Sequence, residues 1–124
     1  MKEIINTSKA PTAVGTYSQG VKFNGVYYFS GQIGISPETS IMDENFDSQL
    51  SQVMKNIDGL LESQGLQRDD IIKTTIFLQD LSDFTKVNEA YIKYFSQPYP
   101  ARSCVQAAKL PKDALVEIEV IAGK

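Results

Sequence analysis

Two residues late in the chain, Arg102 and Glu117, carry side chains suited to chemistry on a small acid. An arginine guanidinium presents a planar fork of N–H donors that binds a carboxylate through two parallel hydrogen bonds. A glutamate that is partly removed from water can accept a proton near neutral pH. The pair therefore has two interpretations: an ion pair that holds the register of two strands, or an anion clamp beside a general base.

The sequence pattern predicts that Arg102 and Glu117 lie on two strands, over residues 102–107 and 115–122. A turn around residues 110–113 joins these strands, which predicts a β-hairpin. In that hairpin Arg102 comes level with the stretch Glu117–Glu119, so the guanidinium would lie beside carboxylates within one chain.

Five further residues are candidates for a binding site, namely Tyr17, Ser30, Gly31, Asn88 and Cys104. Ser30 and Gly31 lie at the end of a predicted strand, where a missing side chain lets a ligand approach the backbone or marks a bulge. Tyr17 is otherwise a loop tyrosine, and Asn88 an exposed helix asparagine. Cys104 is expected to be a small buried residue rather than a catalytic thiolate.

The composition excludes several kinds of catalytic site. The 124 residues include no histidine and one cysteine, which rules out Ser-His-Asp and Cys-His machinery, an intrachain disulfide and multi-cysteine metal sites. We therefore expect neither a metal nor a cofactor. The net charge is −3 and no lysine or arginine cluster occurs, which argues against a nucleic-acid partner.

The hydropathy pattern predicts a protein that does not enter a membrane. The longest apolar run, Val26–Phe29, is far shorter than the ~18–20 residues that cross a bilayer. The first three residues mix charges and are not followed by the apolar stretch of a secretory signal. We therefore expect a cytoplasmic protein, and the length suits a single domain over residues 1–124.

Two segments have apolar residues at helical spacing, which predicts two amphipathic helices packed on a core. The first stripe is Phe46, Leu50, Val53, Met54, Ile57, Leu60 and Leu61, and the second is Phe84, Val87, Ala90, Tyr91, Tyr94 and Phe95. Asp43 or Asn45 suits the start of the first helix and Gly65 its end, while Ser82 or Asp83 suits the start of the second.

Further strands are predicted over residues 19–23, 26–31 and 71–78, with a short one near residues 2–6. Asn24-Gly25 is a strong signal for a two-residue hairpin turn. The resulting order, ββ-α-β-α-ββ, favours an α+β fold in which a mixed β-sheet carries both helices on one face.

The last predicted strand indicates that the other face of the sheet is uncovered. Val116, Ile118 and Val120 point to one face, and Leu115, Glu117, Glu119 and Ile121 to the other. The first set should meet the helices, and no further helix is predicted to cover the second. A partly apolar uncovered face predicts a subunit neighbour or a pocket, and hence an oligomer.

Several motifs spread along the chain resemble those of one family. They are Ala10-Pro11, Gly15–Gln19, Ser30–Ile33, Ile72–Thr75, Asp80–Phe84, Val87–Tyr91, Pro100–Val105, Leu110–Ala114 and Val116–Glu119. The most specific is Pro100–Val105, with Glu117 fifteen residues after Arg102. The sequence resembles the RidA family (YjgF/YER057c/UK114), the reactive-intermediate imine deaminases.

The resemblance implies a chorismate-mutase-like α+β fold and a homotrimeric barrel assembly, with sites in clefts between subunits. It implies cofactor-free hydrolysis of 2-imino acids, such as 2-iminobutanoate and 2-iminopropanoate, to 2-oxo acids and ammonia. The family's carboxylate-binding arginine falls on Arg102 and its water-activating glutamate on Glu117. Its other pocket positions fall on Tyr17, Ser30, Gly31, Asn88 and Cys104.

Two departures and three rival functions accompany the resemblance. Thr16 and Gly34 stand where many members have proline, which predicts a looser backbone beside the pocket. The first rival is a module that binds or senses small carboxylates without turnover. Some relatives are described as ribonucleases or translation inhibitors, but the acidic charge and missing histidines argue against that role. Nothing in the residues bears on a chaperone role.

Overall fold

The computed structural model describes residues 1–124 and contains six strands and two α-helices in the order βββ-α-β-α-ββ. The strands are β1 (Glu3–Ile5), β2 (Gly20–Phe23), β3 (Val26–Phe29), β4 (Ile71–Leu78), β5 (Ala101–Gln106) and β6 (Val116–Gly123), and the helices are α1 (Phe46–Ser63) and α2 (Phe84–Tyr94). Short 3₁₀ turns precede β4, α2 and β6 at Arg68–Asp70, Leu81–Asp83 and Pro111–Asp113. The predicted order of elements is confirmed.

All six strands join one mixed sheet in the order β1-β2-β3-β6-β4-β5. Only β4 and β5 run parallel; the other neighbours are antiparallel. The predicted hairpin of the last two strands is wrong, because β4 lies between them. The chain leaves β4, crosses over through α2 and returns parallel beside it as β5, the usual connection between parallel strands.

The local signals for turns and helix ends are mostly confirmed. Asn24 and Gly25 both have positive φ, 52° and 78°, as a type I′ turn between β2 and β3 requires. Asn45 caps α1 by accepting a 3.0 Å hydrogen bond from the Ser48 N–H. Asp83 occupies the cap position of α2, but its side chain makes no capping hydrogen bond.

Both helices pack on the same face of the sheet, as predicted. Val116, Ile118 and Val120 of β6 are buried in one core cluster with Leu60 of α1 and Val87 of α2. On β4, the Thr74 hydroxyl accepts a 2.9 Å hydrogen bond from the buried Tyr91 hydroxyl of α2. One core under one sheet makes the chain a single α+β domain.

The opposite face of the sheet has no cover within the chain. Ile4 of β1 is 58% exposed, and Tyr28 and Val105 are also exposed apolar side chains on this face. Glu119 of β6 is exposed among them. The prediction of an uncovered, partly apolar face is confirmed. No helix in the chain combines the length and the apolar character needed to cross a bilayer.

Candidate active site

Glu117 lines an open cavity of about 560 Å³ at one end of the sheet. Its walls come from the loop before β2, the segment after β3, the turn before β6, and β6 itself. The walls include the sequence candidates Tyr17, Ser30 and Gly31, together with Lys112 and Glu119. Four of the seven predicted site residues therefore meet here within one chain.

A β-bulge brings the backbone of Gly31 against the Glu117 side chain. Tyr28 pairs with Ile121 and Gln32 with Ile118, so three residues of one strand oppose two of the other. The extra residue confirms the bulge interpretation of Ser30–Gly31. A Cβ at Gly31 would lie 3.0 Å from the Glu117 carboxyl carbon and closer still to its oxygen, so any side chain here would displace the Glu117 carboxylate.

The cavity also sets the proton affinity of Glu117. Burial raises the pKa of its carboxyl above the ordinary value of 4.5, because a charge is less stable away from water. The neighbouring Glu119 raises the pKa of Glu117 further, through repulsion between two negative charges. A carboxylate of raised pKa is a stronger base than an ordinary glutamate, as proton abstraction from water requires.

Tyr17 and Ser30 have different roles in the cavity wall. Tyr17 is 55% exposed, and its hydroxyl accepts a long 3.4 Å hydrogen bond from the Val14 N–H. The Ser30 hydroxyl donates a 2.6 Å hydrogen bond to the Ser18 carbonyl. The Ser30 side chain therefore holds two chain segments together, whereas the Tyr17 ring is available at the cavity mouth.

Arg102 lies at a second, separate cavity of about 350 Å³ beside α2, together with Asn88 and Tyr99. Its Nη1 donates a 2.6 Å hydrogen bond to Asn88 Oδ1. The guanidinium carbon lies 5.0 Å from the ring centre of Phe84 and 5.5 Å from that of Tyr91. Both distances are within the range of cation–π attraction.

The structural interpretation of Arg102 as a cross-strand ion pair is wrong. Arg102 takes part in none of the four ion pairs of the structure. Asn88 and the two rings orient its guanidinium without neutralising it. The fork of N–H donors therefore remains available for an anion.

Arg102 and Glu117 lie on opposite faces of the sheet. Arg102 is in register with Thr74, which points toward α2 and is itself level with Val120. Glu117 alternates with the buried Val116 and points to the uncovered face. Within one chain, the structure does not bring the guanidinium and the carboxylate together, contrary to the hairpin prediction.

Cys104 is less buried than the sequence predicts. It is half-buried on the helix side of β5 and packs against the core. Burial raises the pKa of the Cys104 thiol, although the nearby Arg102 charge acts in the opposite direction. The thiol form therefore dominates near neutral pH. No group of three or more Asp, Glu, Cys or His side chains is arranged to hold a metal ion.

Sequence reasoning missed three residues that surround Arg102 or Glu117. Phe84 and Tyr91 were assigned to the core stripe of α2, yet both rings also face the Arg102 guanidinium. Lys112 lines the Glu117 cavity from a left-handed conformation, with φ 55° and ψ 28°. The Pro111-Lys112-Asp113 turn signal marked its place, but no periodicity indicates which way a turn side chain points.

This chain matches a known protein family. The family model described as Endoribonuclease L-PSP matches residues 7–124. The chain belongs to this family, the RidA family. The resemblance seen in the sequence is thereby confirmed over nearly the whole chain.

Named members of the RidA family are similar to this chain over its full length. A RutC family protein of Saccharolobus solfataricus is 46% identical, covering 100% of this chain and 99% of the relative. A 2-iminobutanoate/2-iminopropanoate deaminase of Salmonella typhimurium is 43% identical over 98% of both chains. The crystal structure of Escherichia coli TdcF with bound serine superimposes with a TM-score of 0.93, at 42% identity over 98% of both chains.

Proposed function

We propose that this protein hydrolyses small 2-imino acids, such as 2-iminobutanoate and 2-iminopropanoate, to 2-oxo acids and ammonia. The observation that carries the proposal is the half-buried Glu117 carboxylate, of raised pKa, against the bare backbone of Gly31 in an open cavity. The deaminase name of the Salmonella relative supports this reaction class.

Glu117 acts as the general base in this proposal. It accepts a proton from a water molecule whose oxygen attacks the C=N carbon of the imine. Glu117 returns this proton to the nitrogen, so that the C–N bond breaks and ammonia leaves. The C=O bond forms as the new hydroxyl group gives its remaining proton to Glu117, which passes it to ammonia or to solvent. Protonated imines react readily with water, so positioning and one proton-transfer group are sufficient.

Arg102 binds the substrate carboxylate in this proposal. Its guanidinium is oriented by Asn88 and carries no counter-ion, so a carboxylate can occupy the free edge of the fork. The serine bound in the TdcF structure is a small amino acid with a carboxylate of the same kind. Tyr17, Ser30, Gly31 and Cys104 complete the cleft walls.

The clefts form between subunits of a homotrimer in this proposal. Arg102 and Glu117 lie on opposite faces of one sheet, each in its own open cavity, so a second copy must bring the other half. The exposed apolar side chains Ile4, Tyr28 and Val105 give the uncovered face a surface suited to such contact. The trimer itself is what the resemblance to the family implies.

Two other functions have less support. A ribonuclease, which the family description names, needs groups that bind phosphates and transfer protons. This chain has a net charge of −3 and no histidine. A module that binds small carboxylates without turnover would use the same Arg102 cavity, but it would have no use for a basic carboxylate at Glu117.

The first test compares wild type with Arg102→Ala in an assay that generates 2-aminoacrylate in situ and follows the appearance of pyruvate. Wild type should accelerate pyruvate release. Loss of a charged bidentate contact should lower kcat/KM by about 10- to 100-fold. Size-exclusion chromatography should show the same assembly for both proteins.

Arg68→Ala is the matched control. Arg68 is the other arginine of the chain, is also exposed, and also stacks on a ring, that of Tyr94 at 3.9 Å. It pairs with Asp58 outside both cavities, so its removal should leave imine hydrolysis unchanged. Full activity of Arg102→Ala would contradict the clamp. Stabilisation of wild type by pyruvate without any acceleration would favour the binding module instead.

A further inference from the structure

The six-residue loop 12–17 at the mouth of the Glu117 cavity is held almost entirely from its two ends. Its apolar side chains Val14 and Tyr17 are 78% and 55% exposed. The only hydrogen bond that involves the loop joins the Val14 N–H to the Tyr17 hydroxyl at 3.4 Å. Gly15 has a φ of +114° and no neighbouring atom within 4 Å of an added Cβ. Contacts within the loop therefore do little to fix Tyr17.

The residues just outside the loop are, by contrast, firmly held. The Gln19 side-chain amide donates a 2.8 Å hydrogen bond to the Pro11 carbonyl, at the start of the loop. At the end of the loop, the Ser18 carbonyl accepts a 2.6 Å hydrogen bond from the Ser30 hydroxyl. The Ser30 N–H donates a 2.9 Å hydrogen bond to the Gln19 carbonyl. The base of the loop is thereby joined to the segment that carries Gly31.

Gln19 is the centre of this arrangement. Its side chain is 3% exposed and has no contact with bulk water to replace its hydrogen bonds. It accepts from the Thr7 N–H at 2.6 Å and donates to the Thr7 carbonyl at 2.9 Å and to the Ala10 carbonyl at 3.3 Å. The Gln19 side chain thus holds the N-terminal segment, from Thr7 to Pro11, close to the start of β2 at the base of the loop.

We propose that Gln19 is a positioning residue, which holds Tyr17 over the Glu117 cavity by clamping the base of loop 12–17. Removal of the amide leaves the Pro11 carbonyl without its donor and lets the two ends of the loop move apart. The loop then samples more conformations, and closing the cleft over a substrate costs more entropy. This role in turnover rests on the proposed function, but the role in fixing the loop does not.

Gln49 is a matched control for a purely structural glutamine. It is 2% exposed, donates a 2.8 Å hydrogen bond to the Asp43 carbonyl and accepts one of 2.8 Å from the Leu115 N–H. Like Gln19, it is a buried glutamine whose side chain forms hydrogen bonds with backbone groups. Its partners, unlike the Pro11 partner of Gln19, do not flank loop 12–17.

The first experiment measures loop mobility without any substrate. The chain has no tryptophan, so Tyr17→Trp places a single fluorescent reporter on the loop. In that background Gln19→Ala should raise the acrylamide quenching constant and lower the fluorescence anisotropy. Gln49→Ala should change neither, although it too lowers thermal stability. Equal quenching in the Gln19→Ala and Gln49→Ala proteins would overturn the proposal.

The second experiment is a double-mutant cycle on imine hydrolysis. Gln19→Ala should raise KM about fivefold, the effect of about 1 kcal/mol, with a smaller change in kcat. In a Tyr17→Ala background the same substitution should change KM little, because the positioned ring is gone. Equal effects in both backgrounds would contradict a positioning role.

Gln19→Glu keeps the test decisive if Gln19→Ala does not fold. The carboxylate retains the size of the side chain and can accept from the Thr7 N–H, but it cannot donate to the Pro11 carbonyl. It should reproduce the rise in quenching and in KM. Raised quenching in a protein whose wild type hydrolyses no imine would uphold the positioning of the loop and overturn the proposed function alone.

Discussion

Glu117 shows how one residue obtains chemistry from its surroundings rather than from its type. Fifteen acidic residues occur in the chain, and the pKa of Glu117 is raised by partial burial and by the Glu119 charge. Gly31 contributes because it has no side chain, whereas any larger residue would occupy the space of the carboxylate. The sheet face thus presents one base whose environment differs from that of an ordinary surface glutamate.

The pH dependence of imine hydrolysis should report this environment. As pH falls through the raised pKa of Glu117, the base is protonated and kcat/KM declines, so the acid limb should lie above pH 4.5. Glu119→Gln removes the repulsive charge and should move that limb to lower pH. Glu117→Gln should lower kcat by about 10²- to 10⁴-fold at pH values above this limb, and its own profile should lack the limb. The measurement is kcat/KM against pH for the three proteins.

The raised pKa of Glu117 affects folding stability in the opposite direction from activity: low pH lowers activity but favours the folded protein. Because the folded-state pKa lies above the unfolded one, the folded protein is favoured at low pH, and this stabilisation is lost as pH rises through the folded-state pKa. At pH 7 the Glu117→Gln protein should therefore unfold at a higher urea concentration than wild type. An acid limb that Glu119→Gln leaves in place would contradict the coupling between the two carboxylates.

At the scale of elements, helix α1 packs against the segment that leads into loop 12–17. A Cβ at Gly59 would lie 2.8 Å from the Lys9 carbonyl carbon and closer to its oxygen. The Lys9 ammonium also pairs with Glu62 of the same helix at 2.7 Å. The segment that leads into loop 12–17 is thus laid directly on the backbone of α1.

Gly59→Ala should destabilise the protein although alanine favours helices by about 1 kcal/mol over glycine. The added methyl collides with the Lys9 backbone, and such overpacking costs about 1–3 kcal/mol. The measurement is the free energy of unfolding in urea. Ser51→Ala, at an exposed position of the same helix, is the control and should raise stability slightly. A Gly59→Ala protein more stable than wild type would contradict the close approach.

The local elements could be predicted from the sequence because their signals are local. The stripe from Phe46 to Leu61 indicates α1, and Asn24-Gly25 fixes the β2–β3 turn, since each depends on residues a few positions apart. The alternation of Val116 and Glu117 identified the two faces of β6. In each case residues close together in sequence carry the structural information.

The pairing of strands could not be predicted in the same way. Residues 102–107 and 115–122 read as a hairpin because they are adjacent in sequence, yet β4 lies between them. A crossover through α2 and a hairpin leave the same alternation on each strand, so the pattern does not distinguish them.

Gly34 is a second feature that depends on a contact distant in sequence. A Cβ added at Gly34 would lie 2.7 Å from the Gln49 Cα, so glycine is needed for this close approach and not for a positive φ.

At the scale of the whole molecule, the two halves of the proposed site lie on two surfaces. Arg102 is on the edge strand β5, facing α2, and Glu117 is on the uncovered face. A cleft that uses both must draw each from a different copy. The outer edge of the sheet and its uncovered face are the surfaces that such an assembly must bring together.

Subunit complementation tests this arrangement. Arg102→Ala chains retain the Glu117 half and Glu117→Gln chains retain the Arg102 half, so each protein alone should have a small fraction of wild-type activity. Co-refolding of equal amounts should restore activity, because clefts of mixed origin combine two intact halves. Random mixing in a ring should recover about one quarter of wild-type activity. Mixing without co-refolding is the control, and activity no greater than that of the separate variants would contradict a shared cleft.

The exposed side chains Ile4, Tyr28 and Val105 also matter before any assembly exists. A newly made chain displays them to the crowded interior of the cell, next to a sheet edge whose peptide groups are unpaired. Formation of the proposed trimer and aggregation then compete for the same surface. The proposed trimer would bury these side chains, so the yield of folded protein should depend on whether its formation outpaces aggregation through this face.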